Sequence, residues 1–420
     1  FIVGGPVGDF ELLLCHGTVC VVGKIRDLIL QLSKSSIYST KPLLVVLIVA
    51  GAGSTAYFWP TSSPTNTAMF WFCFLGIPSA IGGVAFAFRW LIYLAGEWLA
   101  DGWDAAREWD LAQDILCGQR NLDMLGYVVH LPHVISSASI SQQMQIPEGI
   151  ILPTKVDETG ELLIHHASFS DMGLPVLVRV KERINSLLRE TALQNAFQCM
   201  PQNSPLAVLF QFSPDISFSR EEFAAIQQLV QNSIGFPFNI TFISGEGLQT
   251  IDAWLDRPDV MQTLLVITLN LTEKIIDGTG EAAAALLMSS PERPEVSRNV
   301  VAQVHRPEQM KTTQEMSSAL MQALHWGESA PEEIKHIWLT GTGVSNKATA
   351  LLSTSGVRFP VAGQPCDIDL KTGLTRSVSP WLAIAVAADQ AGQSESSQLV
   401  VYVPDESIFP WFIIVCPVAK

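Results

Sequence analysis

Glu246 stands between two glycines in the run SGEG (Ser244–Gly247), at a turn from an apolar strand pattern into a helical one. A carboxylate there would be ionised and exposed beside the positive end of a helix, which is where a general base could sit. The same placement suits an acid that merely starts the helix, and that structural role is the better fit. His165 and His166 are adjacent, so their rings point to opposite sides of any regular element and make a poor chelate. His130 and His133 flank a proline and have no third ligand nearby in sequence. Surface or loop positions are expected for all four. The seven cysteines (15, 20, 73, 117, 199, 366 and 416) are odd in number and form no CxxC pair, which points to reduced thiols rather than a zinc or redox motif. Cys199 lies in a polar loop before Pro201. SGEG and GTGE lack the GK[ST] and GxGxxG arrangements that cradle phosphates, and no serine sits in a GxSxG elbow. No cofactor and no metal are expected.

The elements that must position these groups are legible from periodicity. Apolar runs that read as strands lie at 127–131, 206–212, 239–244, 263–269, 281–288, 300–305, 335–341, 398–404 and 411–418. Helical spacing marks 174–197, 219–232, 247–257, 312–327, 345–356 and 377–391. Strands separated by helices of this length predict an α/β domain with a largely parallel or mixed sheet and helices packed on it.

Before that domain the chain changes character. Hydrophobic residues make up 48% of the 420 residues and charged ones 15%, a ratio that calls for a membrane segment or a heavily buried sheet. Pro42–Trp59 and Ala68–Phe88 run for 18 and 21 residues without a charge, each enough to cross a hydrocarbon core of about 30 Å. PTSSPTNT between them suits a turn in water. Gly51, Gly53, Gly76, Gly82 and Gly83 offer surfaces on which two helices approach closely. Lys24, Arg26, Lys34 and Lys41 precede the first span and Arg89 and Arg107 follow the second, which places both ends in the cytosol. Tryptophans 98, 103 and 109 then mark an amphipathic connecting helix. The expected organisation is an N-terminal cytosolic segment (1–41), a two-helix transmembrane hairpin (42–95), the connecting helix (96–125) and the α/β domain (126–420). Net charge is −15, from 25 Lys plus Arg against 40 Asp plus Glu, which argues against nucleic acid as a partner and favours a basic protein, while the two apolar runs imply membrane lipid.

ALMQALHWGESAPEEIKHIWLTGTG (Ala319–Gly343) resembles a segment of the thiolase-like superfamily, β-ketoacyl synthases in particular, where an AL..AL..AG helix is followed by.PE.I..I and a histidine-glycine-threonine turn. GTGEAAAALLMSSPE (278–292) and LKTGLTRSVSPWLAIAVAADQ (370–390) are similar to two flanking segments of that family. The resemblance implies a thiolase-like layered mixed sheet, a cysteine nucleophile at the start of a buried helix and two histidines at the thioester. The nucleophile turn falls on ISGEGLQTIDAWL, at Glu246 and without a cysteine; the histidines fall on Thr340 and Leu374; Lys371 matches a family lysine. The resemblance therefore implies a degenerate site at Glu246, Thr340, Leu374 and Lys371 with no catalytic residue. A noncatalytic, membrane-anchored adaptor or scaffold follows, not an enzyme, in a bacterial inner membrane with its C-terminal domain in the cytoplasm. Two spans followed by such a domain also resemble accessory proteins of type VI secretion, which implies a secretion effector or apparatus protein as partner and, from the thiolase-like family, a homodimer. The alternatives are an active β-ketoacyl synthase-type enzyme on acyl thioesters and a structural, oligomerising membrane subunit.

Overall fold

Two helices make up the described part of the first of two units, Phe1–Gln113 and Asp114–Lys420. The computed structural model describes residues 40–133, 139–146, 149–156, 162–257, 263–291, 299–312, 316–341, 356–359, 365–404 and 409–418. Most of the expected N-terminal segment, the helix expected at 345–356 and Gly343 lie outside the described residues.

Helix α1 spans Thr40–Phe58, and α2 runs over Ala68–Gly118, with a π turn at Phe72–Gly76. A π turn widens the helical ladder by one residue, and here it directly precedes Pro78, which has no N–H to contribute. The two helices meet at that point. Thr55 Oγ1 donates to the Cys73 carbonyl at 3.2 Å, and a Cβ on Gly51 would lie 2.7 Å from the Pro78 ring. Gly51 therefore supplies the small surface expected of it, whereas Gly53 and Gly83 face open space. Among the described residues one helix, α2, is long and apolar enough to cross a membrane, by length and composition. The expected boundary at residue 96 is absent, because Gly96 and Gly102 are carried within one continuous helix.

The second unit contains β1 (Asn121–His130), α3 (Ile140–Gln145), β2 (Thr154–Val156), β3 (Leu163–Ala167), α4 (Val176–Arg189), α5 (Thr191–Gln198), β4 (Pro205–Phe212), α6 (Arg220–Ile234) and β5 (Asn239–Ile243). It continues with α7 (Gln249–Leu255), β6 (Thr263–Asn270), β7 (Thr279–Gly280), β8 (Ala282–Ser289), β9 (Ala302–His305), β10 (Glu308–Gln309), α8 (Met316–Trp326) and β11 (His336–Gly341). Last come β12 (Pro365–Asp367), α9 (Asp369–Thr372), α10 (Ser379–Ser394), β13 (Gln398–Val403) and β14 (Trp411–Cys416). The helix expected at 174–197 divides at Glu190, whose extended backbone (ψ 139°) ends one helix and starts the next. Capping explains α6: Ser219 and Glu222 satisfy each other's backbone N–H, and Gly235 closes the helix with φ at 72°.

The main sheet runs β12-β11-β13-β14-β9-β1-β8-β6-β4-β5, with β10 added on β14. It is one pattern used twice. In β5-β4-β6-β8-β1, three parallel strands meet an antiparallel fourth and then a fifth, and β12-β11-β13-β14-β9 repeats that order and polarity. The antiparallel pair β1 and β9 joins the halves. In each half the helix that connects the outermost parallel strand to the third one, α7 or α10, lies in the same central core.

Alternation along each strand separates the faces. Leu286 and Met288 of β8, Val266 of β6, Trp338 of β11, Val400 of β13 and Ile413 of β14 share the central cluster with α10. Their sequence neighbours face outward, onto α4, α5 and α6 in the first half and α8 in the second. The result is layered: outer helices, half-sheet, central helices, half-sheet, outer helix. Twelve of the sixteen residues of α10 are buried, Ala383, Ala387 and Ala388 completely. Alanine at these points lets both half-sheets approach the helix. Ala387→Leu should therefore lower stability by about 1–3 kcal/mol through overpacking, read as a lower midpoint in thermal or urea unfolding of the full chain.

Candidate functional site

The carboxyl end of β11 is held by one aspartate. Thr340 Oγ1 donates to Asp369 Oδ1 at 2.9 Å and the Gly341 N–H donates to Asp369 Oδ2 at 2.6 Å. Asp367 in turn accepts from the Asp369 and Leu370 N–H groups, which starts α9 directly after β12. Gly341 has φ at 115°, and a Cβ there would lie 1.9 Å from the Val403 carbonyl oxygen, so only glycine fits.

Four residues later the chain lies flat on β7. A Cβ on Gly373 (φ 76°) would sit 2.5 Å from the Thr279 backbone, and one on Gly280 would sit 1.8 Å from the Thr372 oxygen. The backbones exchange hydrogen bonds instead: Leu374 N–H to the Gly278 carbonyl at 2.9 Å, and Gly280 N–H to the Leu374 carbonyl at 3.1 Å. The amino end of α10 is fixed from the other half. Thr268 donates to the Ser377 carbonyl, Ser377 donates to the Leu269 carbonyl, and Trp381 Nε1 donates to Gln211 at 2.6 Å.

Of the four positions expected from sequence, three belong to this assembly. Thr340 is buried at its start, Lys371 is half-buried within α9 and donates to the Ile146 carbonyl at 3.0 Å, and Leu374 is half-buried where α9 meets β7. Glu246 is exposed in the turn before α7 and, among the described residues, forms no hydrogen bond or ion pair with them.

Glu281, the acid that follows Gly280, is fully buried and fully used. It accepts from Arg179 at 2.8 and 2.7 Å, from the Phe169 and Thr272 N–H groups at 2.8 Å each, and from the Thr272 hydroxyl at 3.2 Å. Arg179 also reaches Asp171, which binds Arg183 as well. Burial alone would raise the Asp171 carboxyl; Arg183 and Arg179 outweigh it and hold the carboxyl below the ordinary range.

The expectation of surface histidines needs correction. His166 is completely buried, because its ring packs behind β7 with Nδ1 2.9 Å from Thr279 Oγ1, and Thr279 itself donates to the Ile276 carbonyl. The imidazole is therefore the donor at Nδ1. Burial, with Lys155 nearby, lowers its pKa and keeps it neutral. His165 does point the other way and is exposed. His130 and His133 are half-buried at a cavity rather than free on the surface, because the chain turns inward after β1 at Leu131. Sequence reasoning also missed Asp369, Glu281 and Arg179. Glu281 carried one readable signal, an acid interrupting an otherwise apolar run.

No family model matches the sequence, and no curated protein does. The fold is shared with solved structures. One is a PfaC keto synthase-chain length factor, at 11% identity and a TM-score of 0.52, covering 72% of this chain and 43% of that one. Another is the ketosynthase from module 1 of the bacillaene synthase from Bacillus amyloliquefaciens FZB42, at 9% identity and a TM-score of 0.52, covering 72% of this chain and 77% of that one. The chain thus spans less than half the length of the first. These matches correct the expectation that the chain is not an enzyme: the proteins built on this fold are named for ketosynthase activity, and that expectation is withdrawn.

Removing one partner of the buried pair strands the other. Arg179→Met should cost about 3–5 kcal/mol, measured by chemical unfolding. The depressed Asp171 carboxyl adds a pH signature. Its stabilising share is complete above the ordinary aspartate range near pH 4 and is lost as the pH falls through the lower folded-state value, so acid unfolding should begin below about pH 4. Asp171→Asn should flatten that part of the profile. The chain has a thiolase-like layered α/β fold, the fold of the two ketosynthase structures it matches.

Proposed function

We propose that this chain is an acyl-thioester-processing enzyme tethered to a membrane, with its reactive centre at the carboxyl end of β11. The observation that carries this reading is the thiolase-like fold with Thr340, Asp369 and Lys371 gathered at one such end, since α/β sheets take ligands beyond the carboxyl ends of their strands. Thr340 and Asp369 offer a hydroxyl already aligned with a carboxylate base, and Lys371 offers a cation for the thioester oxygen.

A cysteine acyl-enzyme is not part of the reading. The turn at Ser244–Thr250 has no thiol, and Cys366, the cysteine beside α9, is pushed up to about 11 by burial and Asp367 against the pull of Lys371. A thiol with that value is protonated at neutral pH and nucleophilically inert.

The length and apolar character of α2 and the close seating of α1 at Gly51 support the tether. Basic residues outside both apolar runs support a cytoplasmic C-terminal domain. A homodimer has its own support: α2 places Ile77, Ile81, Val84, Phe88, Leu91, Ala95, Trp98, Gly102, Ala105, Trp109 and Ala112 on a seven-residue repeat, the seam on which two parallel helices pair. No feature among the described residues favours a secretion role.

Thiol release from a medium-chain acyl thioester by the full chain in detergent tests the activity. Thr340→Val and Lys371→Met should each slow it about 100-fold, and Cys366→Ser should leave it unchanged. An intact chain without turnover, or one that loses it with Cys366, removes the reading. The tether predicts that the chain resists alkaline extraction from membranes and becomes extractable when residues 40–95 are deleted.

A further inference from the structure

A second cavity, of about 510 Å³, opens at the end of β1, in the outer layer of the first half of the domain and away from the β11 assembly. His130, His133, Ser168, Ser170, Arg183 and Ser186 line it. Four nitrogens of this lining are shielded from solvent and have no partner among the described residues: His130 Nδ1, both ring nitrogens of His133, and Arg183 Nε. The Ile151 carbonyl lies near the His133 ring, outside hydrogen-bonding geometry. A buried polar atom left unpaired costs about 1–3 kcal/mol, so four at one cavity mark a place that a ligand completes.

The surroundings select its chemistry. Arg183 is held in place, with one terminal nitrogen on Asp171 at 2.8 Å and its guanidinium carbon 3.8 Å from the centre of the Phe169 ring, and its Nε–H has no partner among the described residues. Lys155 reaches Ser168 on the same side. These two cations oppose a bound metal, and no group of three His, Cys, Asp or Glu converges among the described residues. On the other side His130 Nε2 lies 3.4 Å from Glu190. The proton of a neutral His130 ring is held toward that carboxylate, which leaves Nδ1 as a bare lone pair. An occupant must therefore accept from Arg183 Nε–H and the serine hydroxyls and also donate a proton to an imidazole. An ionised carboxylate has no such proton, whereas hydrogen phosphate has both.

We propose that this cavity is a binding site for a protonated tetrahedral oxyanion, inorganic hydrogen phosphate or a phosphomonoester. The anion sits with acceptor oxygens on Arg183 Nε and Ser170 or Ser186, and its P–OH on His130 Nδ1. His133 adds a second imidazole that either accepts the same proton or, once protonated, donates. The charged groups that face the His130 ring are Glu190 and Arg183.

Calorimetric titration of the full chain in detergent with inorganic phosphate tests the site. The expected result is saturable binding that is at least about tenfold weaker in His133→Ala and several-fold weaker in Ser186→Ala. The serine variant keeps the test open if the histidine variant does not fold. No saturable binding up to about 10 mM phosphate, where a Kd near 1 mM would be plain, overturns the proposal. So does binding that both variants leave unchanged, equal competition by acetate, or zinc binding that disappears with His133. Phenyl phosphate in place of inorganic phosphate separates the two sources: tighter binding of the ester assigns the cavity to phosphomonoesters, and tighter binding of the free ion assigns it to phosphate.

Discussion

Helix α10 has no face it can show to water. Its sequence, SPWLAIAVAADQAGQS, carries apolar or small residues on every side of its first three turns, and a helix about 24 Å long with that surface is stable only when enclosed. The rest of the domain is the enclosure. Two half-sheets of the same order close on it from opposite sides, and their inner side chains form one continuous core around it. Its few polar groups find partners at both ends: Trp381 Nε1 donates to Gln211 near the start, and in the second half Asp389 accepts from the Tyr127 hydroxyl and the Ser141 N–H at 2.9 Å each and Gln390 accepts from Gln145. Burial and the adjacent carboxylate raise the Tyr127 pKa, so its hydroxyl remains a donor.

Enclosing a helix end to end raises a problem at its entrance, because backbone that reaches the amino end of α10 must cross the rim of both half-sheets. The chain solves this with glycine. Gly373 and Gly280 bring two backbones into direct contact, and Gly341 turns β11 away against Val403. The Gly341 N–H is taken by the half-buried carboxylate of Asp369, and the Gly280, Gly373 and Leu374 N–H groups are taken by backbone carbonyls. The carboxylate that holds the rim at β11 is therefore also part of the proposed reactive centre. Fold and chemistry draw on the same few residues.

The apolar skeleton was legible before any coordinates. All nine expected strands occur, most within one or two residues, because a strand buried on both faces, such as TLLVITLN or AAAALLMS, is mostly apolar and carries no charged residue. Short pieces were not legible. β2, β7, β12 and α9 are two to four residues long and exist through partners far away in sequence, Gly278 to Leu374 among them, so no local period announces them. The polar half of the site was hidden for the same reason. Thr340 and Leu374 were found by resemblance to a family segment, but Asp369 becomes important only when β11 and β12 lie side by side. Histidine roles failed similarly: the adjacency of His165 and His166 was read correctly as opposite orientation, yet nothing local says which of the two faces the core.

The absence of a cysteine at the turn before α7 led to the expectation of a catalytically empty copy, and that step was too short. A nucleophile is one part of an acyl-transfer site; positioning and stabilisation of the thioester oxygen are others, and they reside in the frame. In this chain the fold is present, and at the end of β11 a buried hydroxyl is hydrogen-bonded to Asp369, which shares a short helix with Lys371. Thr340 is 1% exposed, enclosed at the end of β11. The Lys371 amine is held by a single carbonyl, that of Ile146, at the edge of α3. One hydrogen bond to a neutral acceptor is a weak hold for an ammonium, worth about 1.5–3 kcal/mol, and a thioester oxygen developing negative charge outcompetes it. The group with the least restraint in the assembly is thus the one that has most to gain from the transition state.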